Sequence, residues 1–204
     1  MTYTTAKVLV RFFVLLAVLT SSGCAQVAQK VDVLYSPLAT FRGGTGTLEI
    51  VNLNAQRTSS TDPSLRWVIG QIMDSEGVPV NEVISSIPPY EVITDAFKQE
   101  LSTAGYRVTS SKALDKSTAK GVVFTDISVQ LDEMPLAGRL ETSCAIMLKL
   151  EIWKSGAVVN RLEYRSKYTD TAVKERQLLP QAVFQQAIRE VVQKAVPDII
   201  SQLE

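Results

Sequence analysis

The sequence predicts an α+β domain: a two-layer sandwich of mostly antiparallel sheet with two amphipathic helices packed on one face. Three observations lead there. Between Val123 and Tyr168, apolar and polar residues alternate in three stretches separated by turn residues, as in an antiparallel meander with one wet face. Two other segments, opening at Pro89 and Pro180, repeat apolar residues at helical spacing instead. Helices and strands that come in blocks favour layered α+β packing over a parallel crossover fold.

The elements follow in order. Lys7 and Arg11 bracket the start of an apolar run, Phe12 to Leu19; small residues Thr20 to Gly23 follow, and then Cys24. A basic start, a short apolar core and a small-residue exit describe an export signal, and eight apolar residues are too few to span a bilayer. With Cys24 behind the small residues, residues 1–23 resemble a bacterial lipoprotein signal, although Ser21 stands where these signals usually carry Leu. The resemblance implies a diacylglyceryl thioether on Cys24, cleavage before it and acylation of the new amine. An uncleaved anchor helix, or a secretory signal cut near Ala25, are the other readings. Several acyl chains would hold the protein on a membrane, since one chain alone is marginal. Ala25 and Gln26 lack the Asp that retains such proteins at the inner membrane, so the outer membrane, facing the periplasm, is the expected location.

Residues 24–46, with Pro37, Gly43, Gly44 and Gly46, read as the lipidated Cys and a flexible tether, Val31 to Tyr35 partly extended. The Gly43-Gly44-Thr45-Gly46 run lacks the Lys-Ser/Thr ending of a phosphate loop. A single domain is expected over residues 47–204. Leu48 to Leu53 reads as a strand, Arg57 to Ser64 as a polar loop, and Trp67 to Met73 with Val80 to Ser85 as a hairpin turning at Asp74 to Gly77. Pro88 and Pro89 suit a helix start, Tyr90, Ile93, Phe97 and Leu101 make its apolar face, and Gly105 suits its left-handed close, with Tyr106 packing back. A short strand from Tyr106 to Thr109 leads to a polar helix or loop through Lys120. Then come the three long strands: the first shows Val123, Thr125, Ile127, Val129 and Leu131 on one face and turns at Asp132 to Arg139. Val183, Ala187, Ile188, Val191, Val192 and Ala195 stripe the last helix, which Pro197 is expected to kink or end.

The chain carries 21 basic and 21 acidic residues, and loses Lys7 and Arg11 with the signal. That near-balance argues against nucleic acid, which needs a basic excess or patch. The chain has no His, so the commonest general base and zinc ligand is missing, and no cofactor or metal site is expected. With Cys24 acylated, Cys144 has no intrachain partner. It lies mid-strand on an apolar face, where a buried inert thiol is expected.

Chemical patterns are sparse. Ser117-Thr118-Ala119-Lys120 matches the Ser-x-x-Lys of penicillin-binding enzymes without its partner motifs. Asp74 with Glu76, and Asp132 with Glu133, are carboxylate pairs of the kind hydrolases use, yet they lie in predicted turns. Trp153, Tyr164 and Tyr168 offer either an aromatic surface or ordinary sheet packing.

The set Ile69-Gly70-Gln71-Ile72, Gly77-Val78, Val83-Ile84 and the helix ending Phe97-Lys98-Gln99-Glu100-Leu101-Ser102-Thr103-Ala104-Gly105-Tyr106 resembles the YajG-like bacterial lipoproteins. The resemblance spans most of residues 47–203. It implies a strand with a Gly, a variable hairpin, a helix closing on Leu-x-x-x-Gly-Tyr, a meander and a final helix, and it transfers no functional residue. In layout the chain is more distantly similar to auxiliary lipoproteins of envelope lipid-transport systems, which dock on a larger partner. The expected role is therefore a non-enzymatic, lipid-anchored docking module for an envelope transport or assembly complex. The alternatives are an envelope hydrolase using the carboxylates or Ser117, and a structural subunit of a homo-oligomeric assembly.

Overall fold

The computed structural model describes residues 28–38, 40–57 and 66–204. The export segment, Cys24, and most of the polar loop expected from Arg57 to Ser64 lie outside the described residues. The elements run β1 (Gln29–Lys30), β2 (Thr47–Asn52), α1 (Leu53–Arg57), β3 (Trp67–Met73), β4 (Pro79–Ser85), α2 (Pro89–Ala104) and β5 (Arg107–Ser110). They continue with β6 (Lys120–Leu136), β7 (Arg139–Lys154), β8 (Ala157–Ala172), a 3₁₀ turn (Arg176–Leu178) and α3 (Leu179–Leu203).

All eight strands among the described residues join one sheet, and the class is α+β. β6 is the spine: along its whole length it pairs antiparallel with β7, which pairs antiparallel with β8. Its other edge is shared. The first half pairs parallel with β2, which carries β5 parallel on its far side. The second half meets β3 in parallel, with antiparallel β4 and parallel β1 beyond. By paired length the sheet is mostly antiparallel, as expected, but the pairs β1–β4, β2–β5, β2–β6 and β3–β6 are parallel, which makes it mixed. The parallel pairs unite segments far apart in sequence, which alternation within a strand cannot reveal.

In β7 the even residues Thr142, Cys144, Ile146, Leu148, Leu150 and Ile152 are buried, as the alternation requires. The first meander strand differs in register. A shift between Phe124 and Asp126 puts Val122 and Phe124 on the same face as Ile127, Val129 and Leu131, so Val123 and Thr125 leave the predicted stripe. The strand also runs past Asp132 through Pro135, and the turn is confined to Ala137 and Gly138. The core beneath is continuous: Phe97 of α2 meets Phe124 edge-on at 5.2 Å, and Val183, Phe184, Ile188 and Val192 of α3 are fully buried in the same cluster.

α2 ends as its sequence demands. Gly105 has φ +121°, its N–H donates to Ser102 O, and Tyr106 N–H donates to Leu101 O, closing the helix with the paired bonds of a glycine stop. α3 runs unbroken through Pro197. The last turn is held by burial of Val196, Ile199 and Leu203, and by the Tyr164 hydroxyl donating to Asp198 at 2.7 Å, so the hydrogen bond that proline forfeits does not end it.

The expected tether is packed from its first described residues. Val31 and Val33 are 3% exposed, and Val31 N–H donates to Ile84 O. Further on, the Tyr35 hydroxyl and Leu38 N–H both donate to Glu100 Oε1 on α2, and Gly44 N–H donates to Ala104 O. Burial of the two valines plus donors for a buried carboxylate outweigh the flexibility that the glycines suggest.

Gly70 marks where β3 crosses β6. A Cβ there would lie 1.7 Å from Leu131 O, so β3 can approach the spine only with glycine at this position. Gly70→Ala is expected to destabilise the domain by at least about 2 kcal/mol, read as a lower urea midpoint; an unchanged midpoint would contradict this packing.

Candidate functional site

A cleft lies between α2 and the β2–β5 edge of the sheet. Its main chamber, about 430 Å³, is lined by Ile50 and Asn52 at the end of β2, by Ala55 of α1, by Glu91, Thr94, Asp95 and Lys98 of α2, and by Ser110, Ser111 and Lys112. A second chamber of about 380 Å³, lined by Pro37, Gln99, Ser102, Thr103 and Val108, shares Lys98 and Ser110 with the first. The helical contributors recur every three or four residues, so one face of α2 forms a wall while β5 forms the other. The cleft arises because β2 and β5 run parallel and their carboxyl ends open at the same level.

Its polar groups are held. Asn52 Nδ2 donates to Thr94 Oγ1 at 2.8 Å and to Tyr90 O, while its Oδ1 accepts from Asn54 N–H and Ala55 N–H to start α1. Lys98 pairs with Asp95 at 3.0 Å, and Ser111 Oγ donates to Glu49 at 2.7 Å. A third hollow of about 290 Å³ lies beside Thr125, lined by Lys149, Glu151, Arg161 and Glu163. There Arg161 is paired to Glu151 at 2.8 Å.

The residues singled out by sequence do not converge. Asp74 Oδ1 accepts from Glu76 N–H and Val78 N–H, the geometry of a turn carboxylate, and Glu76 is exposed. Ser117 Oγ bonds Asp115 at 2.5 Å, while Lys120 Nζ bonds Glu204 Oε1 at 2.7 Å and Thr45 O at 3.0 Å, so serine and lysine serve different contacts. That lysine pair, with Thr45, pulls the Glu204 carboxyl down to about 2. Cys144 is buried, and its thiol is pushed up to about 12 by that burial, with Asp132 adding to it. Tyr164 and Tyr168 pack on the core, while the Trp153 indole N–H donates to Glu151, so the three do not form one aromatic surface.

Strand continuation separates the Asp132–Glu133 pair. Asp132 accepts from Gln71 N–H and Gln130 Nε2, whereas Glu133 points inward and is 2% exposed. Glu133 faces Thr142 across the strand pair, and Oε1 of the one and Oγ1 of the other have no hydrogen-bond partner. Burial lifts this carboxyl to about 7. Glu100 is the other buried carboxylate, absent from the sequence candidates. Its signal was present: it falls in the α2 apolar stripe, three residues after Phe97.

No family model matches the chain, and no curated protein does either. Several solved structures are similar in outline. One is a Xanthomonas campestris protein assigned to family DUF330, 14% identical, over 86% of this chain and 97% of that one, at TM-score 0.49. Another is a candidate homologue of the neuraminyllactose-binding hemagglutinin from Helicobacter pylori, 10% identical, over 85% and 96%, at 0.45. A minor lipoprotein from Acinetobacter baumannii is 8% identical over 80% and 95%, at 0.34. At these scores the likenesses assign no role to any residue here.

The raised Glu133 carboxyl carries a pH dependence. The folded state holds its proton up to about pH 7, the unfolded chain only to about 4.5, so this group's contribution to stability is fully present below 4.5 and is lost as pH rises towards 7. Glu133→Gln should remove that loss and be more stable than the parent at pH 8 by roughly 2–3 kcal/mol. Urea unfolding at pH 5 and pH 8 checks it; parallel pH dependences for the two proteins would refute it.

Proposed function

We propose that this protein is a lipid-anchored lipoprotein of the bacterial outer membrane, facing the periplasm. In this reading it works as a non-enzymatic docking module for an envelope transport or assembly complex. The observation that carries the reading is the sequence Lys7 to Cys24, a basic start, an apolar core and small residues ending at a cysteine, joined to a packed α+β body. Support comes from the fate of the chemical candidates. Asp74 and Asp132 accept main-chain N–H groups, Ser117 and Lys120 bond separate partners, and Cys144 is a protonated thiol in the core. No described helix is long and apolar enough to cross a membrane, so acylation at Cys24 would supply the attachment.

The two-layer arrangement and the kinship with YajG-like lipoproteins belong to the same proposal. With α2 and α3 on one face, the opposite face of β6 to β8 carries Asp126, Lys149, Glu163 and Arg165 in exposed pairs, a solvated surface. A cleft along one edge then remains the best-formed recognition surface.

In-cell crosslinking followed by affinity purification and mass spectrometry tests the reading, with Cys24→Ala as control. A stoichiometric envelope partner recovered only with the acylatable form is expected. Equal membrane association and processing of Cys24→Ala would refute the anchor, and a protein running alone would refute the docking role.

A further inference from the structure

We propose that the cleft between α2 and β5 binds an extended polypeptide segment of a partner protein, which adds to the sheet as a strand beside β5. The biological setting rests on the docking role proposed above; the binding chemistry rests on the cleft itself.

Among the described residues β5 pairs only with β2, so it is an open edge. Its inward bonds are fixed: Arg107 N–H donates to Gly46 O and Ser111 N–H to Ile50 O. In a parallel ladder inward and outward residues alternate, so the N–H and C=O groups of Val108 and Ser110 face away from β2. These two residues line the cleft. The edge therefore presents two donors and two acceptors at strand spacing to an elongated hollow, and the complement of such a set is another extended main chain.

The dimensions agree. Four residues of β5 span about 13 Å, and α2 from Glu91 to Thr103 runs about 18 Å alongside. A segment of four to six extended residues fits, one side on β5 and alternate side chains directed towards α2. The α2 wall is polar, with Asp95, Lys98, Gln99 and Ser102, and its charges are of both signs. An apolar peptide or acyl chain would strip water from these groups and give them no hydrogen bonds in return, so the segment is expected to carry hydroxyl, amide or mixed-charge side chains and to be held chiefly by its backbone.

The long edge at β8 is unlike this one. β8 is 16 residues long, but exposed charges at Arg161, Glu163, Arg165 and Lys167 line it, and Lys194 of α3 donates to Arg165 O. Charge along an edge and a side chain bonded to its main chain are devices that discourage strand addition. β5 has neither a proline nor a register shift.

The probe is a displayed library of random 12-residue peptides, panned against the full mature chain. Selected peptides are expected to slow hydrogen exchange at the Val108 and Ser110 amides. Val108→Pro, which removes an outward N–H and leaves the β2 bonds in place, should weaken them about tenfold. Gln99→Trp, which fills the cleft from an exposed helix position without altering the backbone, should weaken them by at least as much. No binder, or binders that leave both amides unchanged and tolerate Gln99→Trp, would overturn the proposal. If that happens while the Cys24-dependent partner is still recovered, only the cleft assignment falls. If peptides bind here and no envelope partner exists, only the docking role falls.

Discussion

Everything in this molecule hangs on the 17-residue strand β6. Its hydrogen bonds to β7 occupy one edge completely, while its other edge is divided between β2 and β3. Two small sub-sheets, β5–β2 and β1–β4–β3, are thereby fastened to one continuous strand and share its core. The register shift beside Thr125 falls between the halves, where added local twist lets the strand serve both. Gly70 permits the second attachment, because any Cβ there would collide with the β6 main chain.

The sequence was most legible where the information is local. The α2 stripe, its opening prolines and Gly105 predicted a helix whose bounds and terminal bonds match the structure. The alternation of Thr142 to Ile152 likewise marked which face of β7 is buried. Misreadings arose where long-range contacts decide. Val31 and Val33 alternate with Asp32 over too few residues to mark a packed strand, and only the β4 edge and the core beneath make their segment part of the body. Asp132 and Glu133 look like turn residues until β7 pairing carries the strand past them. Pro197 breaks an isolated helix, yet here three buried side chains and a tyrosine hold the turn around it. The cleft was not legible at all, since no local pattern says that β5 will lie beside β2.

The polar side chains tell a consistent story. Glu100 organises the N-terminal segment, Asn52 joins β2 to α1 and α2, and Lys120 ties Thr45 to Glu204. These groups hold distant segments together. The buried carboxyl of Glu133 is different: its Oε1 has no hydrogen-bond partner, it ties no distant segment, and its contribution to stability is lost as pH rises towards 7.

Hydrogen exchange across the intact chain tests most directly whether β6 is the spine to which the rest is bound. The slowest amides are expected in β6 and the facing part of β7, with Val31 and Val33 protected alongside β4 rather than exchanging as a free tether. Protection greatest in β3 and β4, with β6 opening first, would contradict this account, as would exchange of residues 29–38 at the rate of an unfolded chain.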